Sequence, residues 1–296
     1  MHKQLFQQLQ QGNIKALART ISLVENDADG FEEMLTNLPA SNTKIIGITG
    51  PPGAGKSTLV DALTGEFVKR GKKVGVLCID PSSPFNMGAL LGDRVRMSEW
   101  YNNPRVFIRS LATRGSLGGL NPRIIEITEV MKAALFDVII IETVGVGQSE
   151  VEIAGLADTT VVVMVPEGGD EVQTMKAGLM EIADLFVVNK ADRPGAESFV
   201  KNLRLMLAPA FQKKQTEVAV LQTIALQKLG VHELYEKIVE HQLTLSGSEK
   251  HYWLLAERAY HLIQQKRMFG VTKPELFKRI KEYSGTFNLY KFIEGY

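Results

Sequence analysis

The sequence has a single cysteine, no large excess of charge of either sign and no long apolar run. Cys78 is the only cysteine among 296 residues, so the chain can form no internal disulfide, as is typical of proteins in a reducing cytoplasm. The 34 basic and 33 acidic residues leave a formal net charge of +1, which does not favour nucleic-acid binding. No apolar run approaches the ~20 residues of a membrane-spanning helix, and the polar first residues lack the apolar core of a secretory signal. We therefore expect a cytoplasmic protein that binds neither nucleic acid nor membrane.

Hydrophobic patterning divides the chain into three segments. Residues 1–43 carry apolar positions at helical spacing and predict an N-terminal helical segment. In residues 44–246, buried β-branched runs alternate with helical patterns, which predicts an α/β domain with a mostly parallel central sheet flanked by helices. Residues 247–296 carry helical patterns only, and we expect a C-terminal helical extension that packs on the core or pairs with a second chain or a partner.

A phosphate-binding loop follows the first predicted strand of the α/β domain. Residues 50–58 read GPPGAGKST and match the pattern G-x-x-x-x-G-K-[ST] without a mismatch. Glycines allow successive backbone N–H groups to point at phosphate oxygens, and the following helix adds the positive end of its dipole. The residues predicted to bind the phosphates are Gly50, Pro51, Pro52, Gly53, Ala54, Gly55, Lys56, Ser57 and Thr58.

A second motif predicts that the base of the nucleotide is guanine. Residues 189–192 read NKAD and follow a buried strand, in the pattern N-K-x-D. An aspartate can accept hydrogen bonds from the ring N–H and the exocyclic amine of guanine, whereas adenine presents no such pair of donors. A loop after the last predicted strand is expected to offer backbone N–H groups to the guanine oxygen. The residues predicted to bind the base are Asn189, Lys190, Asp192, Ile224, Ala225 and Leu226.

Acidic residues near strand ends are candidates for binding Mg²⁺ and orienting water. Glu142 ends a predicted strand, and the backbone N–H of Gly145 is placed to sense the γ-phosphate. Asp80 also follows a strand, and Asp93 lies in the segment after it. Mg²⁺ bound to a nucleotide takes one or two carboxylates. We predict Lys56, Asp80 and Glu142 as catalytic residues, and Ser57, Asp80, Asp93 and Glu142 as metal ligands. The separate roles of the three acids stay open, as does the alternative that Asp80 and Asp93 only cap local turns.

In these motifs and their order, the chain resembles the MeaB/ArgK (methylmalonic aciduria type A protein-like) family of P-loop GTPases. The resemblance covers nearly the whole chain, and its most specific part is the run ETVGVGQSE at residues 142–150. It implies a G-protein chaperone that gates cofactor loading and protects or reactivates an adenosylcobalamin-dependent acyl-CoA mutase, acting on methylmalonyl-CoA or a related substrate. It further implies Mg²⁺, a homodimer paired by C-terminal helices, and switch segments at residues 81–96, 143–152 and 167–178.

The chain departs from the pattern of this family at two places. Asn86-Met87 replaces a small pair in the first switch segment, and Ile224 replaces a serine in the loop that faces the guanine. Affinity for the base would then depend on backbone N–H groups. Arg109 and Arg114 are among the candidates for an arginine finger, but only if a loop closes, so we expect slow intrinsic hydrolysis.

Two other functions remain as alternatives. A small-molecule kinase or transport-associated ATPase would need an acceptor pocket, for which the sequence has no motif, and the N-K-x-D pattern disfavours ATP. A nickel-insertion GTPase would need a cluster of ligands, whereas the five histidines and the single cysteine show no ligand spacing.

Overall fold

The computed structural model describes residues 2–80, 97–114, 120–145, 149–167, 177–214, 218–245, 248–283 and 287–296. The strands in these ranges are β1 (Lys44–Thr49), β2 (Val74–Asp80), β3 (Val106–Ala112), β4 (Val138–Glu142), β5 (Thr159–Met164), β6 (Leu185–Val188) and β7 (Ala219–Gln222). The helices are α1 (His2–Gln10), α2 (Ile14–Glu25), α3 (Phe31–Thr36), α4 (Lys56–Lys69), α5 (Ile124–Ala133), α6 (Ser149–Leu156), α7 (Ala177–Ile182), α8 (Ala196–Lys214), α9 (Val231–Leu245), α10 (Glu249–Arg267), α11 (Lys273–Lys281) and α12 (Leu289–Ile293).

The seven strands form one parallel sheet in the order β3-β2-β4-β1-β5-β6-β7. This confirms the predicted α/β fold with a parallel sheet flanked by helices. Parallel strands carry all their carboxyl ends to the same edge, where ligands of such folds bind. Glu142 ends β4 and is paired in register with Ile48 of β1 and Cys78 of β2. The sheet therefore brings the ends of β1, β2 and β4 together at one edge.

The central strands are apolar at consecutive positions because both faces of the sheet are covered. Ile139 and Ile141 of β4 pack on one face, in a core shared with α2 and α5. Ile140 points to the other face, in a core shared with α4 and α9. This alternation follows from the two-residue period of a strand. Cys78 lies in the second core and is fully buried, so it acts as a packing residue.

The N-terminal helices share the first of these cores. Asn13 caps α2, since its side-chain oxygen accepts a 3.0 Å hydrogen bond from the backbone N–H of Ala16. Leu17 and Ile21 on the apolar face of α2 are fully buried. The chain divides into two compact units, residues 1–254 and 255–296, so these helices and the sheet belong to one unit. The segment boundaries predicted at 43/44 and 246/247 stay predictions.

The second unit contains most of α10 together with α11 and α12. The side-chain oxygen of Thr272 caps α11 by accepting a hydrogen bond from the backbone N–H of Glu275. Many large apolar side chains of this unit are exposed, among them Tyr260, Ile263, Phe269, Phe277, Leu289 and Tyr290. Across the described parts of the chain, the helices are all too short or too polar to cross a bilayer.

Candidate nucleotide-binding site

The predicted phosphate-binding loop joins the carboxyl end of β1 to the first turn of α4. Gly55 precedes α4 with φ of +84°, a left-handed conformation that glycine adopts without strain. A Cβ atom at this position would lie 2.4 Å from Nδ2 of Asn189. The loop therefore requires glycine here for its own path and for the close approach of the predicted base-binding segment.

The Lys56 ammonium lies inside this loop. Lys56 is buried, and its Nζ donates hydrogen bonds to the carbonyl oxygens of Gly50 at 2.9 Å and Pro51 at 3.1 Å. Gly145 comes close to the same ammonium, because a Cβ atom built on it would lie 2.3 Å from Nζ and 2.7 Å from the Gly50 oxygen. The backbone after β4 thus touches the phosphate-binding loop beside Lys56. This placement suits the predicted role of Gly145 as a sensor of the γ-phosphate.

Two of the predicted acids meet the loop at the ends of their strands. The Ser57 hydroxyl donates a 2.6 Å hydrogen bond to Oε1 of Glu142, and both side chains are buried. Asp80 is buried at the end of β2. These three residues line a cavity of about 420 Å³. Its other lining residues are Pro52, Gly53, Gly55, Lys56, Thr58, Ile79, Thr143, Val144 and Lys190.

The donor set of this cavity fits Mg²⁺. One hydroxyl and two carboxylates are hard oxygen ligands, and a nucleotide-bound Mg²⁺ uses one or two carboxylates while phosphate oxygens and waters complete its shell. In the described ranges, the acidic, histidine and cysteine side chains form no group of three or more that would hold a metal on its own. The predicted ligand Asp93 lies outside the described residues, as do Asn86-Met87, the whole of the first predicted switch segment, residues 146–148 of the second and most of the third.

Asn189 connects the phosphate-binding loop to the loop after β7. Its Nδ2 donates to the Ala54 oxygen at 3.0 Å, and its Oδ1 accepts from the Thr223 hydroxyl at 3.0 Å and the Ala225 N–H at 3.1 Å. The side chain is almost fully buried. In this structure Asn189 and the Ala225 N–H therefore bond within the protein, and their contact with guanine stays a prediction. Thr223 was missed at the sequence level, although a threonine directly after a strand is a usable signal.

Lys190 lines the cavity, and Asp192 follows it two residues later in the chain. Lys190 has φ of +56°, and its Nζ donates to the Gly53 oxygen at 2.8 Å, so its stem runs along the phosphate-binding loop. Asp192 is exposed, which leaves its carboxylate accessible to a base. Leu226 is 84% exposed in the loop after β7. In the same loop, the Ile224 N–H donates to the Leu229 oxygen at 3.0 Å.

The two described candidates for an arginine finger bind α2 instead. Arg109 donates to the Glu25 carboxylate at 2.6 Å and to the Ser22 hydroxyl at 3.1 Å. Arg114 donates to the Glu25 carbonyl oxygen at 2.5 Å and to the Asn26 side chain at 3.1 Å. In this conformation both arginines hold the N-terminal helices, and neither lines the nucleotide cavity.

Comparison with known proteins agrees with this geometry. The family model described as "Methylmalonyl Co-A mutase-associated GTPase MeaB" matches residues 17–282. A Pyrococcus abyssi protein named as a GTPase is 50% identical over 253 residues, which are 84% of this chain and 78% of the relative. The mitochondrial methylmalonic aciduria type A homolog of Caenorhabditis elegans is 36% identical over 267 residues, which are 83% and 67% of the two chains.

A solved structure extends the similarity to the fold. The crystal structure of a LAO/AO transport system kinase superposes with a TM-score of 0.69 at 28% sequence identity. The match covers 96% of this chain and 87% of that one.

Proposed function

The chain belongs to the MeaB family of methylmalonyl-CoA mutase-associated GTPases, and from this premise we propose that it is a G-protein chaperone of an adenosylcobalamin-dependent mutase. In this role it gates cofactor loading and protects or reactivates the mutase. The client acts on methylmalonyl-CoA or a closely related acyl-CoA. The family description names this mutase, and a 36% identical relative is named for methylmalonic aciduria. We also propose that the protein works in the cytoplasm.

The site supports hydrolysis by in-line attack of water on the γ-phosphate. Lys56 exchanges the two loop carbonyls that it contacts for phosphate oxygens and neutralises the charge that develops on them. Asp80 or Glu142, both buried at the cavity, orients the water. The backbone N–H of Gly145, next to Lys56, donates to the γ-phosphate only while this group is present. The chain after β4 is thereby coupled to the state of the nucleotide.

The metal proposed for this site is Mg²⁺, held by Ser57, Asp80 and Glu142, with Asp93 as a further ligand. When bound, it would neutralise charge on the β- and γ-phosphates. The short hydrogen bond between Ser57 and Glu142 supports this assignment, because it brings a hydroxyl and a carboxylate together at the phosphate-binding loop.

Guanine is the proposed base. Asp192 is exposed and carries the discrimination, while the Lys190 stem covers one face of the ring. Through its three hydrogen bonds, Asn189 joins the phosphate-binding loop to the loop after β7. In the proposed complex, the second of these loops, with Ile224, Ala225 and Leu226, closes the other side of the base.

The proposed assembly is a homodimer that pairs through the C-terminal helices. The unit formed by residues 255–296 leaves many aromatic and aliphatic side chains exposed, including Phe269 at 84% and Tyr290 at 77%. Exposed apolar surface on this scale favours association with another chain. Sedimentation of the purified protein tests this, with a monomer at micromolar concentration as the contradicting result.

An inactivation assay of the mutase tests the chaperone role. A candidate adenosylcobalamin mutase from the same organism is followed through repeated turnover, alone and with the protein and GTP. We expect a longer active lifetime with the wild-type protein, and no extension with Lys56→Ala, which lacks the ammonium at the phosphates. An unchanged lifetime with every such mutase would contradict the chaperone role while leaving the GTPase assignment intact.

A further inference from the structure

Two buried threonines join the end of β1 to the end of β4. The Thr143 hydroxyl donates a 3.0 Å hydrogen bond to the hydroxyl oxygen of Thr49, and both side chains are almost fully buried. The strands that lead to them are rich in isoleucine, so these hydroxyls lie in largely apolar surroundings. A hydroxyl buried in this way is costly unless it is hydrogen-bonded. The bond between the two side chains meets this requirement, and we call the two residues the threonine pair.

The threonine pair lies at the edge of the nucleotide cavity. Thr49 directly precedes Gly50, the first residue of the phosphate-binding loop. Thr143 directly follows Glu142 and itself lines the cavity. The backbone N–H of Thr143 also donates to the Ile48 oxygen at 3.0 Å, so its main chain and its side chain both attach it to β1. Each threonine is therefore one residue away from a group of the candidate site.

The phosphate-binding loop has further attachments on its other side. Gly50 lies against β5, because a Cβ atom built on it would be 2.1 Å from the Val163 carbonyl oxygen. Two side-chain hydrogen bonds from the segment after β6 reach the carbonyl oxygens of Gly53 and Ala54. Loss of the threonine pair would therefore leave the loop in place and affect mainly the chain after β4.

That chain carries the proposed sensor of the γ-phosphate. Gly145 lies two residues after Thr143, and a Cβ atom built on it would be 2.7 Å from the Gly50 oxygen. The chain from Thr143 through Val144 to Gly145 thus starts at the threonine pair and returns to the phosphate-binding loop beside Lys56. The Gly145 N–H can meet the γ-phosphate only while this short stretch keeps its distance from the loop.

We propose that Thr49 and Thr143 are a positioning pair for the GTPase reaction. Their hydrogen bond holds the turn at Gly145 against the phosphate-binding loop, so that the Gly145 N–H reaches the γ-phosphate. The pair thereby favours binding of the triphosphate over the diphosphate. It acts through Gly145, and neither hydroxyl needs to touch the nucleotide. This inference rests on the proposed role of Gly145 as the sensor.

The test compares the Kd of a non-hydrolysable GTP analogue with the Kd of GDP. Calorimetry on the purified protein gives both values at saturating Mg²⁺, and their ratio is the preference for the triphosphate. We expect this preference to fall about fivefold in Thr143→Val and in Thr49→Val, the ratio that corresponds to one hydrogen bond of ordinary strength. The Kd of GDP should stay unchanged, and kcat for GTP should fall. Thr143→Ser keeps the hydroxyl and should retain most of the preference.

The double variant separates positioning from stability. A single valine leaves the other hydroxyl buried without this bond, whereas replacing both hydroxyls by apolar groups of the same shape is nearly neutral for stability. Thr49→Val/Thr143→Val should therefore unfold in denaturant close to wild type, and yet lose about as much preference as either single variant, about fivefold. A wild-type preference in the double variant would overturn the proposal.

Other results would overturn it as well. Equal weakening of analogue and GDP binding would show a general disturbance of the phosphate-binding loop. A loss in Thr143→Ser as large as that in Thr143→Val would show that the hydroxyl is not responsible. Gly145→Ala is measured alongside, and an unchanged preference in it would refute the sensor role and this inference together. A loss in Gly145→Ala but in none of the threonine variants would overturn the threonine pair alone.

Discussion

Replacing Gly145 by alanine should disable hydrolysis, because the added Cβ atom would push neighbouring groups of the site apart by about 1 Å. The new Cβ atom would lie 2.3 Å from the Lys56 ammonium and 2.7 Å from the Gly50 carbonyl oxygen. Unstrained contacts of this kind are about 3.5 Å, so the groups must separate by about 1 Å. Lys56 can move, but the Gly50 oxygen belongs to the backbone of the phosphate-binding loop. The loop and the chain after β4 would then no longer fit together around the γ-phosphate.

The expected loss follows from this displacement. A misplacement of about 1 Å at a reacting centre lowers rates by about 100-fold, which corresponds to ~2.7 kcal/mol of transition-state stabilisation. Alanine at φ of +84° adds backbone strain of about 1–2 kcal/mol, which lowers stability without altering the site. Gly195 separates the two effects, because it has the same φ of +84° and an added Cβ atom would meet nothing within 4 Å.

The assay compares kcat/KM for GTP and the free energy of unfolding in the two variants. Gly145→Ala should lose about 100-fold in kcat/KM. Gly195→Ala should be destabilised by the same backbone strain of about 1–2 kcal/mol, but it should keep its hydrolysis rate. Wild-type kcat/KM in Gly145→Ala would refute the close packing of Gly145 on Lys56. An equal loss of kcat/KM in both variants would show that strain, and not the contact, is responsible.

Further predictions concern the base-binding loops and one partly buried carboxylate. In Gly230→Ala the added Cβ atom would lie 2.1 Å from the Gln222 carbonyl oxygen and would displace the loop after β7. Because this loop is proposed to bind the base, GDP binding should weaken by more than about tenfold. An unchanged rate of GDP dissociation would contradict this. Asn189→Ala removes three buried hydrogen bonds and should cost about 2–4 kcal/mol in denaturant unfolding, so a loss near zero would contradict its linking role. Burial alone would raise the pKa of Asp184, but the hydrogen bond from His241 and a nearby lysine charge hold that pKa below its ordinary value. The charged carboxylate therefore stabilises the fold above about pH 4, and this contribution is lost as the pH falls through the lowered pKa. Asp184→Asn should be less stable than wild type at pH 7 and approach it in acid, whereas a pH-independent difference would count against this reasoning.

Much of the fold followed from local patterns in the sequence. The phosphate-binding loop is a contiguous motif, so strand β1, the loop and helix α4 were predicted together. Consecutive apolar β-branched residues, as in β4, identified strands buried on both faces. Strand order restricts where strand-end residues can meet, and the placement of Glu142 beside Ser57 follows from it.

Contacts that depend on a distant partner could not be predicted in the same way. The bonds of Asn189 to Ala54 and Thr223 join three segments that are far apart in the chain, and no spacing rule relates them. Arg109 was a candidate for an arginine finger only if a loop closes, and its observed partner Glu25 lies on a helix more than eighty residues earlier.

The most direct test of the account is the rate of GTP hydrolysis by the purified protein, alone and with a candidate adenosylcobalamin mutase from the same organism. The account predicts slow hydrolysis that requires Lys56 and that the mutase clearly accelerates. Hydrolysis that no such mutase changes would contradict the proposed partnership and leave a GTPase with an unknown client. Hydrolysis that survives Lys56→Ala would contradict the site itself.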